Sequence, residues 1–219
     1  MTRWVPAFLF LFVSASSVHA QTPPGHRMRA RSGDDATRAG AAATAARTRQ
    51  TWTIDTSRST LTFSVRHMLE RVEGRFDSWS GSLTTSSDRW SDGVADITIQ
   101  TTSINTGHSA RDKHLRSPDF FDAARYPTIK FKSTRIARTG DSVTVAGKLT
   151  LRGITKPVVL TGKFLGATAG PRSRIAFKVS TTVNRLDYGV AYNRLVEGGG
   201  TVLGDDVTVE IALAAVQQS

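Results

Sequence analysis

Three histidines, His67, His108 and His114, lie in the interior of the 219-residue chain with Asp112 and Asp119 nearby. Imidazole beside carboxylate is the set that holds zinc or moves protons. The spacing argues against both uses. His108 and His114 are six apart and do not share a helical face, and the chain has neither a His-x-x-x-His nor a His-Glu-x-x-His pairing. The null content of cysteine removes thiol catalysis and thiolate metal sites. No Gly-x-Ser-x-Gly elbow is present, and Gly198 to Gly200 precedes a strand rather than the helix a phosphate cradle requires. Asp205-Asp206 fits a turn at the start of the last strand. No catalytic set, metal or cofactor is therefore expected. The densest polar cluster is Arg111-Asp112-Lys113-His114. It has two readings: Arg111 and Asp112 tie a short helix to its neighbours with Asp119 and Asp122 as acceptors, or the cluster receives the polar end of a ligand. An enzyme using His67, Arg111 and His114 is a third reading, and it predicts lost turnover in His114→Ala.

The elements that would carry these residues are strands. Leu61, Phe63 and Val65 alternate with polar neighbours, as do Ala95, Ile97 and Ile99, and Ile129 and Phe131. The same period of two runs through Val143 to Leu151, Ile175 to Val179 and Val207 to Leu213. Each has one dry face and one wet face. Val72 to Thr85 and Ile154 to Ala167 are expected as two further long strands, the first with a bulge between Phe76 and Trp79. Turns are expected at Asp92-Gly93, Gly140-Asp141, Arg152-Gly153 and Gly170-Pro171. About eight strands without strand–helix alternation exclude a parallel α/β fold and favour an antiparallel sandwich or barrel. Ser109 to Arg116 and Asn184 to Gly200 break the rhythm and are expected as short helices or loops at a barrel mouth.

Met1 to Ala20 has the layout of a secretory signal: Arg3, an apolar run from Val5 to Val13, and Val18-His19-Ala20 before Gln21. That run is shorter than the roughly 20 residues a bilayer span needs. Residues 21–49 are rich in Ala, Arg, Thr, Gly and Pro and read as a disordered linker, with helix over Ala39 to Arg47 as the alternative. The folded domain is expected over 50–219. The net charge of +11 divides into +5 over residues 1–49 (seven Arg against Asp34 and Asp35) and +6 over the rest. The excess is spread along exposed strand positions without a nucleic-acid motif, so nucleic acid is not expected as a partner. Peripheral contact with anionic head groups suits it equally well. Oligomeric state is not legible.

The order of motifs resembles the YceI-like family of lipocalin-like, polyisoprenoid-binding proteins. Trp52-Thr53-Ile54-Asp55 leads to Leu61 through His67, then Gly74-Arg75-Phe76 and Ser103 to Gly107. Arg111 to Ser117, Asp119 to Asp122, Tyr126-Pro127 and Arg152 to Val158 follow, and Arg185 to Gly189 precedes Gly204-Asp205-Asp206. The resemblance covers Thr51 to about Val216. It implies an all-β, eight-stranded antiparallel barrel with a short helical segment, exported to the periplasm, holding an isoprenoid or other long-chain lipid inside. The inward set expected to touch the chain is Phe63, Val65, Phe76, Ile97, Ile99, Phe131, Val145, Leu149, Phe177 and Val179. His67, Arg111, Asp112 and His114 are the head-group candidates. Alternation alone is equally compatible with a filled barrel that acts as a structural or surface-interaction protein.

Overall fold

The computed structural model describes residues 49–86, 90–170, 172–194 and 201–218. The expectations for the leader, the linker and the Gly198–Gly200 run lie outside the described residues, as does Pro171 of the Gly170-Pro171 turn.

Eleven strands form one antiparallel sheet: β1 (Gln50–Ile54), β2 (Thr60–His67), β3 (Glu70–Phe76), β4 (Trp79–Thr85), β5 (Val94–Gln100), β6 (Ile104–Asn105), β7 (Thr128–Thr139), β8 (Ser142–Leu151), β9 (Ile154–Thr168), β10 (Arg174–Asn184) and β11 (Leu203–Gln217). β1 pairs with both β4 and β11, which closes the ring β1-β4-β5-β7-β8-β9-β10-β11. β2, β3 and β6 carry the first three staves onward past a break, with β2 pairing to the same edge of β11. The result is a closed eight-stranded barrel; toward the mouth β3 is paired on its outer side only at Arg75 and Phe76, with β6.

The breaks have local causes. Between β1 and β2 the chain makes one 3₁₀ turn, Thr56–Arg58. Ser59 restores the bonding lost there: its hydroxyl donates to the Asp55 carbonyl at 2.7 Å and accepts from the Ala214 N–H at 2.9 Å. Opposite this turn, the stretch expected as one bulged strand is two strands, interrupted at Asp77 and Ser78. Phe76 and Trp79 are both buried because the chain resumes its alternation after the gap, in pairing with β1 and β5. Asp205 and Asp206 also depart from expectation: they lie inside β11 rather than in a turn.

One end of the barrel is stoppered. Trp90 has φ of 60°, with its carbonyl accepting from the Gly93 N–H, and its side chain enters the lumen between Trp52 and Phe177 (ring centroids 6.3 and 5.6 Å). Trp52, Leu83, Ala95, Ile136, Val143, Ile175 and Ala215 complete this buried cluster. The other end carries α1 (Ser109–Arg116), the helical one of the two outcomes expected there, tied to β6 and the 3₁₀ turn Thr101–Ser103. Arg116 donates to the carbonyls of Thr102 and Ile104 at 2.8 and 2.9 Å. A second buried cluster, Ile54, Leu61, Phe76, Trp79, Ile97, Ile99, Ile104 and Ile129, lines the wall beneath it.

Candidate functional site

Above the Trp90 stopper the lumen is a cavity of about 460 Å³. Its wall is hydrocarbon from the inward positions of the strands. All ten residues of the inward set named from sequence, Phe63, Val65, Phe76, Ile97, Ile99, Phe131, Val145, Leu149, Phe177 and Val179, line it. A filled barrel needs opposite walls to meet, and here the cavity keeps them apart.

Two glycines help to hold the walls back. Gly74 on β3 pairs directly with Phe63 on β2, and the Phe63 ring lies across it, where a Cβ would stand 2.4 Å from Cζ. Gly147 on β8 receives the Phe131 ring in the same way, again at 2.4 Å. Each aromatic ring therefore lies flat on a strand instead of projecting across the lumen.

The polar groups gather at the mouth, the end where β2, β8 and β10 finish and β3, β9 and β11 begin. His67, Arg111 and His114 line the cavity there; Asp112 does not. Asp112 is buried and accepts from the Thr106 N–H at 2.8 Å and the Thr106 hydroxyl at 2.6 Å, which fixes α1 to the end of β6. Arg111 reaches back to the same residue, Nε to the Thr106 hydroxyl at 2.7 Å and Nη2 to its carbonyl at 2.9 Å. The helix-tying arrangement therefore holds both residues, and of the two Arg111 alone borders the cavity. His114 shares a 2.9 Å contact with Asp119 and packs edge-on against Phe120 and Tyr192, at 5.0 and 4.8 Å between ring centroids. No group of three metal-ligating side chains occurs among the described residues.

Arg185 is the residue that sequence reasoning missed. It is buried after β10, at the start of a 3₁₀ turn (Arg185–Tyr188), and it also borders the cavity. Its guanidinium donates to the carbonyls of Gly204, Val190 and Tyr192 at 2.9, 2.5 and 2.9 Å and pairs with Asp205 at 3.0 Å. Burial lowers its proton affinity, and the Asp205 carboxylate counters this. One side chain thus ties Val190 and Tyr192 to Gly204 and Asp205 at the mouth. Beside it, burial pushes the Tyr188 hydroxyl's pKa up, with Asp187 adding to the effect. Trp90 was equally unmarked in the sequence; the available signal was a large apolar residue standing in a polar turn.

A sequence profile of the YceI-like domain matches residues 52–215. The chain belongs to the YceI-like family. Among relatives, a UPF0312 protein of Pseudomonas paraeruginosa is 39% identical over 131 residues, 58% of this chain and 69% of that one. The fold is that of BcnA of Burkholderia cenocepacia, at a TM-score of 0.65 and 24% identity over 74% of this chain and 98% of the other. This YceI-like barrel is also similar to a domain of Saccharophagus degradans described as polyisoprenoid-binding and implicated in plant cell wall breakdown. There the TM-score is 0.58 and the identity 19%, over 76% of this chain and 98% of that domain.

Proposed function

We propose that this YceI-like protein is an exported carrier that holds the chain of an isoprenoid-type amphiphile, polyprenyl or quinone-like, in its barrel for transport, storage or sequestration. The observation that carries the reading is the cavity: about 460 Å³, walled by hydrocarbon, stoppered at one end and polar at the other. Its volume falls within the ~300–1,000 Å³ of ordinary ligand sites. Its length favours a long chain. The lining positions of β8, Val143 to Leu151, and of β11, Leu203 to Leu213, span 8 and 10 residue steps. At about 3.3 Å per step and a strand tilt of about 40°, that is about 20–25 Å of barrel axis. One leaflet of a bilayer is about 15 Å deep, so an acyl chain matched to a leaflet would leave part of the lumen unfilled.

Burying on the order of 500 Å² of hydrocarbon yields about 12 kcal/mol gross, most of it offset by immobilisation. Selectivity then comes from length and shape, since a branched hydrocarbon offers few hydrogen bonds. On this reading a head group meets Arg111, His67 and His114, which line the cavity at the mouth together with Arg185, Asn193 and Tyr192. The polyisoprenoid-binding description of the structurally similar domain supports the same ligand class. Export to the periplasm rests on the leader-like Met1 to Ala20. Native mass spectrometry of the protein taken from its own envelope fraction, with organic extraction of the bound material, tests the reading. A stoichiometric isoprenoid or quinone supports it. An empty protein that also refuses added isoprenoids refutes it.

A further inference from the structure

The β2–β3 hairpin ends in a two-residue turn, Met68-Leu69, closed by the His67–Glu70 pair. Met68 has φ of 54°, the first central position of a turn of the II′ kind, where glycine is the usual choice. The sequence instead puts methionine there, 54% exposed, followed by leucine at 102%. Both choices are unfavourable for a turn surrounded by water: the first strains the backbone, and the two together present bare hydrocarbon.

The turn is not an isolated case. Six large apolar side chains are exposed among the described residues. Met68, Leu69, Ile154 and Leu186 all stand at the mouth end, on the β2–β3 turn, the β8–β9 turn and the 3₁₀ turn after β10. Val159 and Leu165 sit singly on β9. The same end is basic. Arg66, Arg71, Lys113, Arg116, Arg125 and Arg194 are exposed, and none has a carboxylate within 4 Å among the described residues. Three of the acids there are in ion pairs: Asp119 with His114, Asp187 with Lys156 and Asp205 with Arg185. Glu70, Glu73, Asp122 and Asp206 are outside ion pairs among the described residues, and Asp112 is taken up by Thr106.

We propose that the mouth docks on an anionic lipid bilayer, with Met68 and Leu69 entering the acyl region and the surrounding cations meeting the head groups. The proposal rests on the carrier reading for its purpose, since it sets the opening of the cavity against the phase that holds the ligand. Its physical basis is the pairing of inserted apolar side chains with basic side chains that anchors amphipathic surfaces to membranes.

The test uses the full chain and vesicles of mixed phosphatidylglycerol and phosphatidylethanolamine. The variant is Met68→Asn with Leu69→Asp, residues that suit a turn and tolerate positive φ, so the hairpin is kept. Because the basic residues 1–49 are the same in both proteins, the difference between them isolates the hairpin tip. Vesicle partitioning is expected to fall by on the order of tenfold or more. In Leu69→Trp, acyl-brominated lipids are expected to quench the added indole. Unchanged partitioning together with no quenching overturns the proposal. So does a variant whose only change is lost self-association in sedimentation, which makes the tip a contact between copies. Lipid uptake from detergent, read by native mass spectrometry on the same variant, separates the two ideas. Retained uptake with lost partitioning supports docking. Retained uptake with unchanged partitioning removes docking and leaves the carrier standing. If wild type takes up nothing, the carrier reading fails and the vesicle result still decides the docking.

Discussion

Gly74→Ala is the sharpest perturbation of the lumen. The new methyl would stand 2.4 Å from Phe63 Cζ, 2.8 Å from Phe63 Cε1 and 2.9 Å from Thr106 Cγ2. All three obstacles are side-chain atoms, so the backbone of β3 keeps its place and the Phe63 ring must turn. Phe76 stands 5.7 Å away on one side, centroid to centroid, which leaves the lumen as the open direction. A ring rotated into the cavity displaces about two methylene-sized units of ligand at about 0.8 kcal/mol each, about a tenfold loss of affinity. Overpacking adds about 1–3 kcal/mol of destabilisation. For a domain of this size that lowers Tm by about 2–12 °C. Calorimetric titration with a long-chain polyprenol analogue, with a thermal melt of the same samples, reads both effects. Phe63→Leu in the Gly74→Ala background removes the clashing ring atoms and is expected to recover most of each loss. Unchanged affinity and Tm in Gly74→Ala, or no recovery in the double variant, would refute the claim that this glycine keeps the cavity open.

Arg185→Leu leaves the carbonyls of Gly204, Val190 and Tyr192 without their donor and Asp205 without its partner. Asp205 is half-exposed and stays solvated, so the cost falls on the unsatisfied carbonyls, and a loss of about 2–3 kcal/mol in urea unfolding is expected. Trp90→Ala removes the stopper; it should cost about 3–5 kcal/mol and let longer chains enter, read by competition between polyprenols of different length. Asp55, Asp77 and Asp92 are all held below the usual carboxylate range. The leading causes are hydrogen bonds from Ser57 to Asp55, from Asn105 to Asp77 and from Ser86 to Asp92. Depressed carboxylates contribute stability above their unfolded pKa, near 3.9, and lose it as pH falls through the folded values. The urea midpoint is therefore expected to change little from these groups between pH 5 and 8 and to drop below about pH 4, with a shallower drop in Asp77→Asn.

Local residue choice determined a great deal of this barrel. Alternation along β5, β7, β8, β10 and β11 fixed which side chains face inward, because a strand's period of two leaves no freedom once one face must be dry. The helix from Ser109 to Arg116 was legible from its composition and the proline at 118. The break at Asp77-Ser78 was not. Two interrupted strands and one bulged strand show the same residues, and only pairing with β1, β2 and β5 distinguishes them. The fate of Arg111 and Asp112 was likewise tertiary. Both readings of that cluster place charges on a short helix, and the position of Thr106 at the end of β6 decided which of them borders the cavity. Arg185 and Trp90 acquire their roles wholly from distant segments, a set of backbone carbonyls in one case and a ring of strand ends in the other. The sequence by itself determined the dry face and the family. Whether that face encloses a hollow lumen was decided by tertiary structure, because strand tilt and stagger set the barrel's radius, and glycines beneath the phenylalanine rings of neighbouring strands set how far side chains reach across it.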